Sequence, residues 1–356
     1  MRKIVNKLST KEKKSFSKYA IGLVLSGKSK KCLGIAKVAK ENHDRLYRML
    51  CKIKKFIHPL KYFSIEKIKR LSKLKSGNFI IDDTAIPKRY SRFIEGVFYI
   101  YSTLTRTEER ALTIVVLSWS NGLYTVPLGF KFFIHRAVSK KDLYKTKSEL
   151  GIELVKEFYN EVAFDFLLMD GHYSTKFSFL PFLYKHKIPS IMKIARDRKI
   201  TTKDGTSAQL QKHPGLKLKR NARHAVVYAE FGEGKYYFSV HKRKRKDGEV
   251  ETIYLVSTVL MKTNEYIKIY AKRWGIEKMF RTMKQSLGLG ASIARKIEVQ
   301  SAHIYCVFFA YTFLQEVSFE LNYERTEDAV SYLQSAKLTK AWQRISAFSR
   351  NFGCYA

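Results

Sequence analysis

Cysteine is scarce in this sequence, and the few cysteines form no recognisable metal site. No two of them have the close Cys-x-x-Cys spacing of a zinc site; the four are Cys32, Cys51, Cys306 and Cys354. Few, scattered cysteines are typical of proteins from a reducing compartment. We therefore expect the protein to be cytoplasmic.

Long apolar segments are scarce as well. The basic N-terminus is not followed by the apolar stretch of a signal peptide. The longest apolar run, around residues 304–314, is too short to cross a bilayer and predicts a buried helix instead. These absences argue against a secreted or membrane-spanning protein and predict a soluble one.

Acidic residues are strongly outnumbered by basic ones. The 356 residues include 68 Lys and Arg but 31 Asp and Glu, which gives a formal net charge of +37. Such an excess indicates a polyanionic partner, with nucleic acid as the first candidate and an anionic membrane surface as the second. The plain alternative is a general basic bias that only keeps the chain solvated.

The first 75 residues have helical periodicity, many lysines and few glycines. Residues 32–40 and 44–53 predict two short helices, and Asn42 is a suitable cap between them. A tight joint followed by a basic helix favours a helix-turn-helix that binds DNA, although a plain helical bundle fits the pattern nearly as well. We therefore predict a helical N-terminal DNA-binding domain over residues 1–75.

Aspartates follow two apolar segments that read as buried strands. Phe79, Ile80 and Ile81 lead into Asp82 and Asp83, and residues 164–169 lead into Asp170. Carboxylates at the ends of buried strands need a cation or hydrogen bonds to stay charged. Each aspartate could instead cap a turn, but this alternative does not explain why the pattern occurs twice.

Residues 270–284 predict an amphipathic helix with a polar stripe along one edge. At about 100° per residue, Tyr270, Arg273, Glu277 and Lys284 fall within roughly 60° of each other. An apolar stripe beside them would pack on a core. An ordinary surface helix with solvated ion pairs is the alternative interpretation.

The remaining pattern is that of an α/β protein. Residues 111–120 and 123–133 predict a hairpin that turns at Asn121-Gly122. Residues 76–194 and 263–325 would form a mixed sheet core in two parts, with a β-rich insertion at 195–262 and a basic tail at 326–356. The insertion carries a basic run at 242–246, which could contact phosphates or be a solvated loop.

Asp83, Asp170 and Glu277 would repel each other at one edge of the sheet unless a divalent cation lay between them. Carboxylate oxygens favour Mg²⁺ or Mn²⁺. Two such ions can activate the attacking oxygen and stabilise the leaving oxygen in phosphoryl transfer. In a strongly basic chain, DNA is the natural phosphodiester substrate.

The spacing Tyr270-x2-Arg273-x3-Glu277-x6-Lys284 resembles the Y-R-E-K signature of bacterial DDE transposases of the insertion-sequence-four class. Residues 81–84 and 169–173 are similar to the first and second catalytic blocks of that class. The resemblance covers about residues 75–320, and the first block of the family usually places its ligand directly before the threonine. Asp83 is therefore preferred to Asp82, which should point to the opposite face of the strand.

The resemblance implies a ribonuclease-H-like core and cut-and-paste DNA transposition in a bacterial cell, close to the nucleoid. Asp83, Asp170 and Glu277 would be the catalytic residues and would bind two Mg²⁺ or Mn²⁺ ions, and Tyr270, Arg273 and Lys284 would contact DNA. The partners would be the double-stranded terminal repeats and target DNA, with a homodimer on the DNA ends and no membrane. A nuclease with the same core and a non-catalytic DNA-binding regulator are the alternatives.

Overall fold

The structure is a computed structural model that describes residues 9–335 except 28, 53–56, 90, 103–105, 140–142, 176, 220–221 and 245–246, and also describes residue 343. The end of the predicted basic run and nearly all of the tail beyond 335 lie outside these residues. The helices are α1 (Thr10–Leu25), α2 (Cys32–Val38), α3 (His43–Leu50), α4 (Ile57–Ser72), α5 (Lys147–Phe158), α6 (Phe179–Lys185), α7 (Glu265–Tyr270), α8 (Trp274–Gln285), α9 (Ile297–Glu320) and α10 (Thr326–Ser335). The strands are β1 (Asn78–Pro87), β2 (Phe98–Ser102), β3 (Thr107–Ser120), β4 (Thr125–Phe133), β5 (Leu167–Met169), β6 (Ser190–Lys193), β7 (Lys199–Thr202), β8 (Ser207–Gln209), β9 (His224–Phe231), β10 (Gly234–Lys244) and β11 (Val250–Ser257).

The described strands form one mixed sheet. Their order is β2-β3-β1-β5-β6-β11-β10-β9-β7-β8. Strand β4 lies outside this order and also pairs with β3. The central strands β1, β5 and β6 run parallel, whereas β3 and β11 are antiparallel to their neighbours. The predicted hairpin is confirmed, because β3 and β4 pair around Gly122, whose φ of 91° suits glycine.

Two apolar layers cover the sheet, one on each face, and alternation along the strands decides which side chain enters which layer. Ile80 of β1 and Ile114 of β3 face a core that includes Ile276 of α8 and much of α9. Ile81 and residues such as Leu154 of α5 and Phe179 of α6 form the core on the other face. Consecutive residues of β1 therefore belong to different layers.

The N-terminal helices pack into the first of these two layers. Phe16 of α1 meets Phe309 of α9 with ring centroids 5.0 Å apart, and Leu46 of α3 is buried in the same cluster. The α2–α3 turn has the predicted cap, since Asn42 Oδ1 accepts hydrogen bonds from the backbone N–H groups of Asp44 and Arg45. The described residues of this segment form helices that share a core with the C-terminal ones, and a separate N-terminal DNA-binding domain stays a prediction.

The single helix predicted for residues 270–284 is broken. Helix α7 ends at Tyr270, one 3₁₀ turn covers Ala271–Arg273, and α8 begins at Trp274. A Cβ added to Gly275 would lie 2.6 Å from Thr125 Oγ1, so α8 approaches β4 more closely than a larger residue would allow. Hydrophobic periodicity does not detect this break, because a 3₁₀ turn shifts the side chains by only a fraction of a turn.

Candidate active site

Asp82 and Asp170 lie side by side where the parallel β1–β5 ladder ends, and β1 itself continues as a strand to Pro87. In the β1–β5 ladder Ile80 is opposite Leu168 and Ile81 is opposite Met169, so the next pair in register is Asp82 and Asp170. Directly opposite residues of neighbouring strands point to the same face. The two carboxylates therefore belong to the sheet face that α8 covers.

Arg273 joins this strand end to the helix that carries Glu277. Its Nη1 donates to Asp82 Oδ2 over 2.9 Å, and its Nη2 donates to Glu277 at a short hydrogen-bond distance. The Arg273 side chain is 12% exposed and that of Asp82 is 17% exposed, so this ion pair is largely shielded from water. One guanidinium thus holds a β1 carboxylate and an α8 carboxylate on its two nitrogens.

The environment of Asp82 disfavours its charged form. The pKa of Asp82 is raised to about 7, chiefly by burial; the positive charge of Arg273 acts to lower it, and the carboxylates of Asp83 and Asp170 act to raise it. The pKa of Arg273 is affected by Asp170 as well as by Asp82 and Glu277. Asp82, Asp170 and Glu277 therefore form one electrostatic group around Arg273.

Asp83, the predicted first ligand, is not part of this group. Its side chain lies on the opposite face of β1, where Oδ2 accepts from Lys147 Nζ over 2.7 Å and Oδ1 accepts from the Tyr173 hydroxyl over 3.3 Å. The prediction that Asp82 and Asp83 point to opposite faces agrees with the structure. The expected orientation towards Glu277 does not, because α8 packs on the Asp82 face and α5 packs on the Asp83 face.

The other two residues of the predicted stripe have different surroundings. Tyr270 is buried, and the Arg273 guanidinium carbon lies 5.7 Å from its ring centroid. Burial raises the pKa of the Tyr270 hydroxyl well above its usual value, so the phenol stays neutral. Lys284 is exposed near the end of α8. Tyr270 therefore shapes the wall of the site, and Lys284 presents its charge to solvent.

The donor set suits a hard divalent cation, although the carboxylates are not arranged around one. Within the described ranges, no group of three or more His, Cys, Asp or Glu side chains is placed to hold a metal ion. Arg273 supplies the positive charge that Asp82 and Glu277 require. A Mg²⁺ or Mn²⁺ ion would satisfy the same carboxylate oxygens.

Sequence reasoning missed three side chains that organise the site. Lys147 and Tyr173 fix Asp83, and Tyr173 lies three positions after Asp170. Lys88 is buried, and its Nζ donates to the carbonyl oxygens of Gly290 and Ser292 in the segment after α8. Burial lowers the pKa of Lys88 to about 8. No local sequence pattern predicts these contacts, because each one joins segments that are distant in the sequence.

A mixed sheet that presents adjacent aspartates at parallel strand ends, with a glutamate helix beside them, fits a ribonuclease-H-like catalytic core. Residues 143–313 match the family model described as a transposase DDE domain. The match contains Asp170 and the whole of α8 and begins after β1. It supports a DDE transposase, and it suggests a metal-dependent enzyme that cleaves DNA. No curated protein matches the chain.

The described helices can be compared with the expectation that the protein does not span a membrane. None of them is both long enough and apolar enough to cross a membrane. The longest of the described helices, α9, is buried against the sheet and the N-terminal helices.

Proposed function

We propose that the protein is a DNA transposase of the insertion-sequence-four class, which cuts DNA at the ends of an insertion sequence and transfers the freed strand. The observation that carries this proposal is the joining of Asp82 to the Glu277 helix by Arg273, beside Asp170. The family match to a transposase DDE domain gives independent support. The spacing of Tyr270, Arg273, Glu277 and Lys284 supports the narrower class.

In this proposal the metal ligands are Asp82, Asp170 and Glu277, with Asp82 in place of Asp83. The β1–β5 register and the direction of the side chain favour Asp82. It lies on the same sheet face as Asp170, and Arg273 contacts both Asp82 and Glu277. Transposases of this family usually use divalent metals. When bound, two Mg²⁺ or Mn²⁺ ions supply the charge that activates an attacking oxygen and stabilises a leaving one.

Arg273 has two successive roles in the proposal. In the protein without DNA it balances the charges of Asp82 and Glu277, as its two short contacts indicate. Once those carboxylates are neutralised otherwise, its planar guanidinium can bind a DNA phosphate with two parallel hydrogen bonds. Lys284, farther along α8, acts as a point charge on a neighbouring phosphate, and Tyr270 positions Arg273 by packing beneath it.

The N-terminal helices supply further DNA contacts in the proposal. Helix α3 buries Leu46, Met49 and Leu50 and leaves Tyr47 and Arg48 exposed. This pattern suits a helix that lies on DNA with its apolar side on the protein. Two terminal repeats would require a homodimer on the DNA, in the cytoplasm of a bacterial cell.

The test is cleavage of a duplex that carries one end of the insertion sequence, followed by transfer of the cut strand to a second duplex. With Mg²⁺, we expect Asp82→Asn, Asp170→Asn and Glu277→Gln to abolish cleavage while duplex binding and melting temperature stay close to those of the wild type. The matched control is Asp83→Asn, which changes the neighbouring carboxylate on the other face and should keep most of the cleavage activity.

Two results would contradict this assignment. Normal cleavage by Asp170→Asn or Glu277→Gln would remove these residues from the chemistry. Normal cleavage by Asp82→Asn with loss in Asp83→Asn would return the first ligand to Asp83. Cleavage without strand transfer would instead indicate a nuclease with the same core.

A further inference from the structure

Exposed aromatic side chains lie together on the edge of the sheet beyond the active site. Tyr99 and Tyr101 of β2 are 55% and 63% exposed, and Phe93 in the loop before β2 is 70% exposed. Single exposed aromatics are normal on a protein surface, whereas exposed aromatics grouped at one edge indicate an interaction site. The active site described above uses none of them.

These tyrosines lie on the same sheet face as α8. Tyr99 is opposite Arg110 in the β2–β3 ladder, and Tyr101 is opposite Glu108. Arg110 precedes Leu112 by two positions, and Leu112 packs in the core cluster that contains Ile276 of α8. Because side chains alternate along a strand, Tyr99 and Tyr101 project to the face that carries Asp82 and Glu277.

Arginines are interleaved with these rings. The guanidinium carbon of Arg110 lies 5.6 Å from the Tyr99 ring centroid, and that of Arg295 lies 5.2 Å from the Phe93 centroid. Arg110 Nη2 also donates to the carbonyl oxygen of Arg92, which links the two aromatic–arginine pairs. The Nε of Arg110 is buried and has no hydrogen-bond acceptor among the described residues.

The segment that carries Arg295 is fixed to this edge. The backbone N–H of Glu95 donates to the Arg295 carbonyl, and Glu95 Oε2 accepts from the backbone N–H of Ile297. The arginine therefore reaches Phe93 from the connection between α8 and α9. The aromatic–basic edge, defined as Phe93, Tyr99, Tyr101, Arg110 and Arg295, is thus tied to the connection between α8 and α9.

We infer that the aromatic–basic edge binds unpaired nucleotides of the DNA strand that leaves the active site. Aromatic rings stack on bases of any sequence, and arginines beside them hold the phosphates. Paired bases cannot stack on the tyrosines, so the occupant must be single-stranded. The net charge of +37 and the arginine-rich surroundings favour a nucleic acid over a protein. The inference rests on the proposed function in one respect, because that function is the reason to assign the bound nucleotides to the strand that leaves the active site.

The position of the edge indicates which nucleotides it would contact. Asp82 is opposite Val116 on β3, and Tyr99 is opposite Arg110, six positions farther along the same strand. At about 3.4 Å per residue the separation is about 20 Å along the sheet. This length corresponds to about six nucleotides at the rise of one B-form strand, so the unpaired segment would begin about six nucleotides from the cleaved bond.

The test compares full-length proteins by fluorescence anisotropy with a labelled single-stranded oligothymidylate and with a fully paired duplex. The double variant Tyr99→Ala/Tyr101→Ala should bind the single strand at least tenfold more weakly and should bind the duplex as the wild type does. The variant Tyr99→Phe/Tyr101→Phe keeps the rings and should bind both as the wild type does. Tyr159→Ala, which removes an exposed tyrosine at the end of α5, is the matched control.

The outcomes separate this inference from the proposed function. Unchanged single-strand affinity in the alanine variant would overturn the inference, as would an equal loss in the phenylalanine variant. A change from dimer to monomer in the alanine variant, with unchanged DNA binding, would assign the edge to contacts between copies and would also overturn it. Binding is measured without cleavage, so inactivity of the protein on an element end would affect only the proposed function.

Discussion

Arg273 is the residue on which the electrostatics of the candidate site depend. It contacts Asp82 and Glu277 directly, and its own pKa is affected by Asp170. Buried carboxylates without a countercharge would be costly, so this guanidinium has a structural role as well as the proposed role in DNA binding. Its substitution should therefore have two separable effects.

Replacing Arg273 with Ala should destabilise the metal-free protein by about 1–3 kcal/mol, because two shielded carboxylates lose their donor. Mn²⁺ or Mg²⁺ should then raise the melting temperature of this variant more than that of the wild type, since the ion would supply the missing charge. Melting curves over a metal titration measure both effects. An equal metal response in the two proteins would argue against a shared cation site.

The same residue and Lys284 should also contribute to DNA binding. Arg273→Ala and Lys284→Ala should each weaken binding to a cleaved element end, slow cleavage and lower the salt slope by roughly one. Arg273→Lys should restore part of the charge effect but not the bidentate contact. Because Lys284 is exposed, its variant should melt as the wild type does. Gel-shift titrations at several salt concentrations measure the affinity and the salt slope, and unchanged end affinity in both alanine variants would exclude Arg273 and Lys284 as DNA contacts.

At the scale of elements, a buried histidine holds the segment just after α8. His303 of α9 has Nε2 2.8 Å from the carbonyl oxygen of Gly288, just after α8, and Nδ1 2.8 Å from the hydroxyl of Tyr19 on α1. A carbonyl only accepts, so Nε2 carries the proton and Nδ1 accepts from Tyr19. One neutral imidazole thus connects α1, α8 and α9.

This link predicts a defined pH dependence of stability. Burial lowers the pKa of His303 to about 4, whereas the unfolded residue titrates near its usual value of 6.5. Between these values the unfolded chain binds a proton at His303 that the folded chain does not, so the contribution of His303 to stability should fall as pH decreases from about 6.5 to about 4, whereas Asp82, with its raised pKa, contributes in the opposite direction. The variant His303→Gln should lose part of this dependence, and denaturant titrations across the window would show it. An unchanged slope would mean that His303 is charged in the folded protein.

Removing the Tyr19 hydroxyl, which donates to His303, is a second test of the hydrogen bonds that connect α1, α8 and α9. Tyr19→Phe leaves the buried Nδ1 without a donor and should cost about 1–3 kcal/mol. Phe16→Leu, a neighbouring apolar change in α1, is a control for packing alone. If Tyr19→Phe is as stable as the wild type at neutral pH, the hydrogen bond does not hold the helices together.

At the scale of the whole molecule, the excess of positive charge should control DNA affinity. A chain with a net charge of +37 that contacts several phosphates releases many counterions, so log K for duplex DNA should fall linearly with log salt concentration. The slope should be close to 0.9 for each phosphate contacted. An affinity that is flat across a salt titration would exclude the basic surface as the binding site.

Sequence by itself determined the local features from which the proposed chemistry is inferred. The order of the three acids, the spacing from Tyr270 to Lys284, the hairpin at Asn121-Gly122 and the strand before Asp170 can all be read locally, because they depend on residue type and on periods of two or 3.6. The match of residues 143–313 to a transposase DDE domain supports a DDE transposase, and the narrower class stays a proposal. The division into domains and the dimer stay predictions.

Tertiary structure decided which aspartate lies on the sheet face that α8 covers. Alternation along β1 places Asp82 and Asp83 on opposite faces of the sheet. It does not determine which of these faces is covered by a helix some 190 residues later in the chain. Packing of α8 on Ile80 and of α5 on Ile81 made that choice. Strand β2, the break before Trp274 and the contacts of Lys88 and His303 likewise depend on distant partners, so no local pattern could specify them.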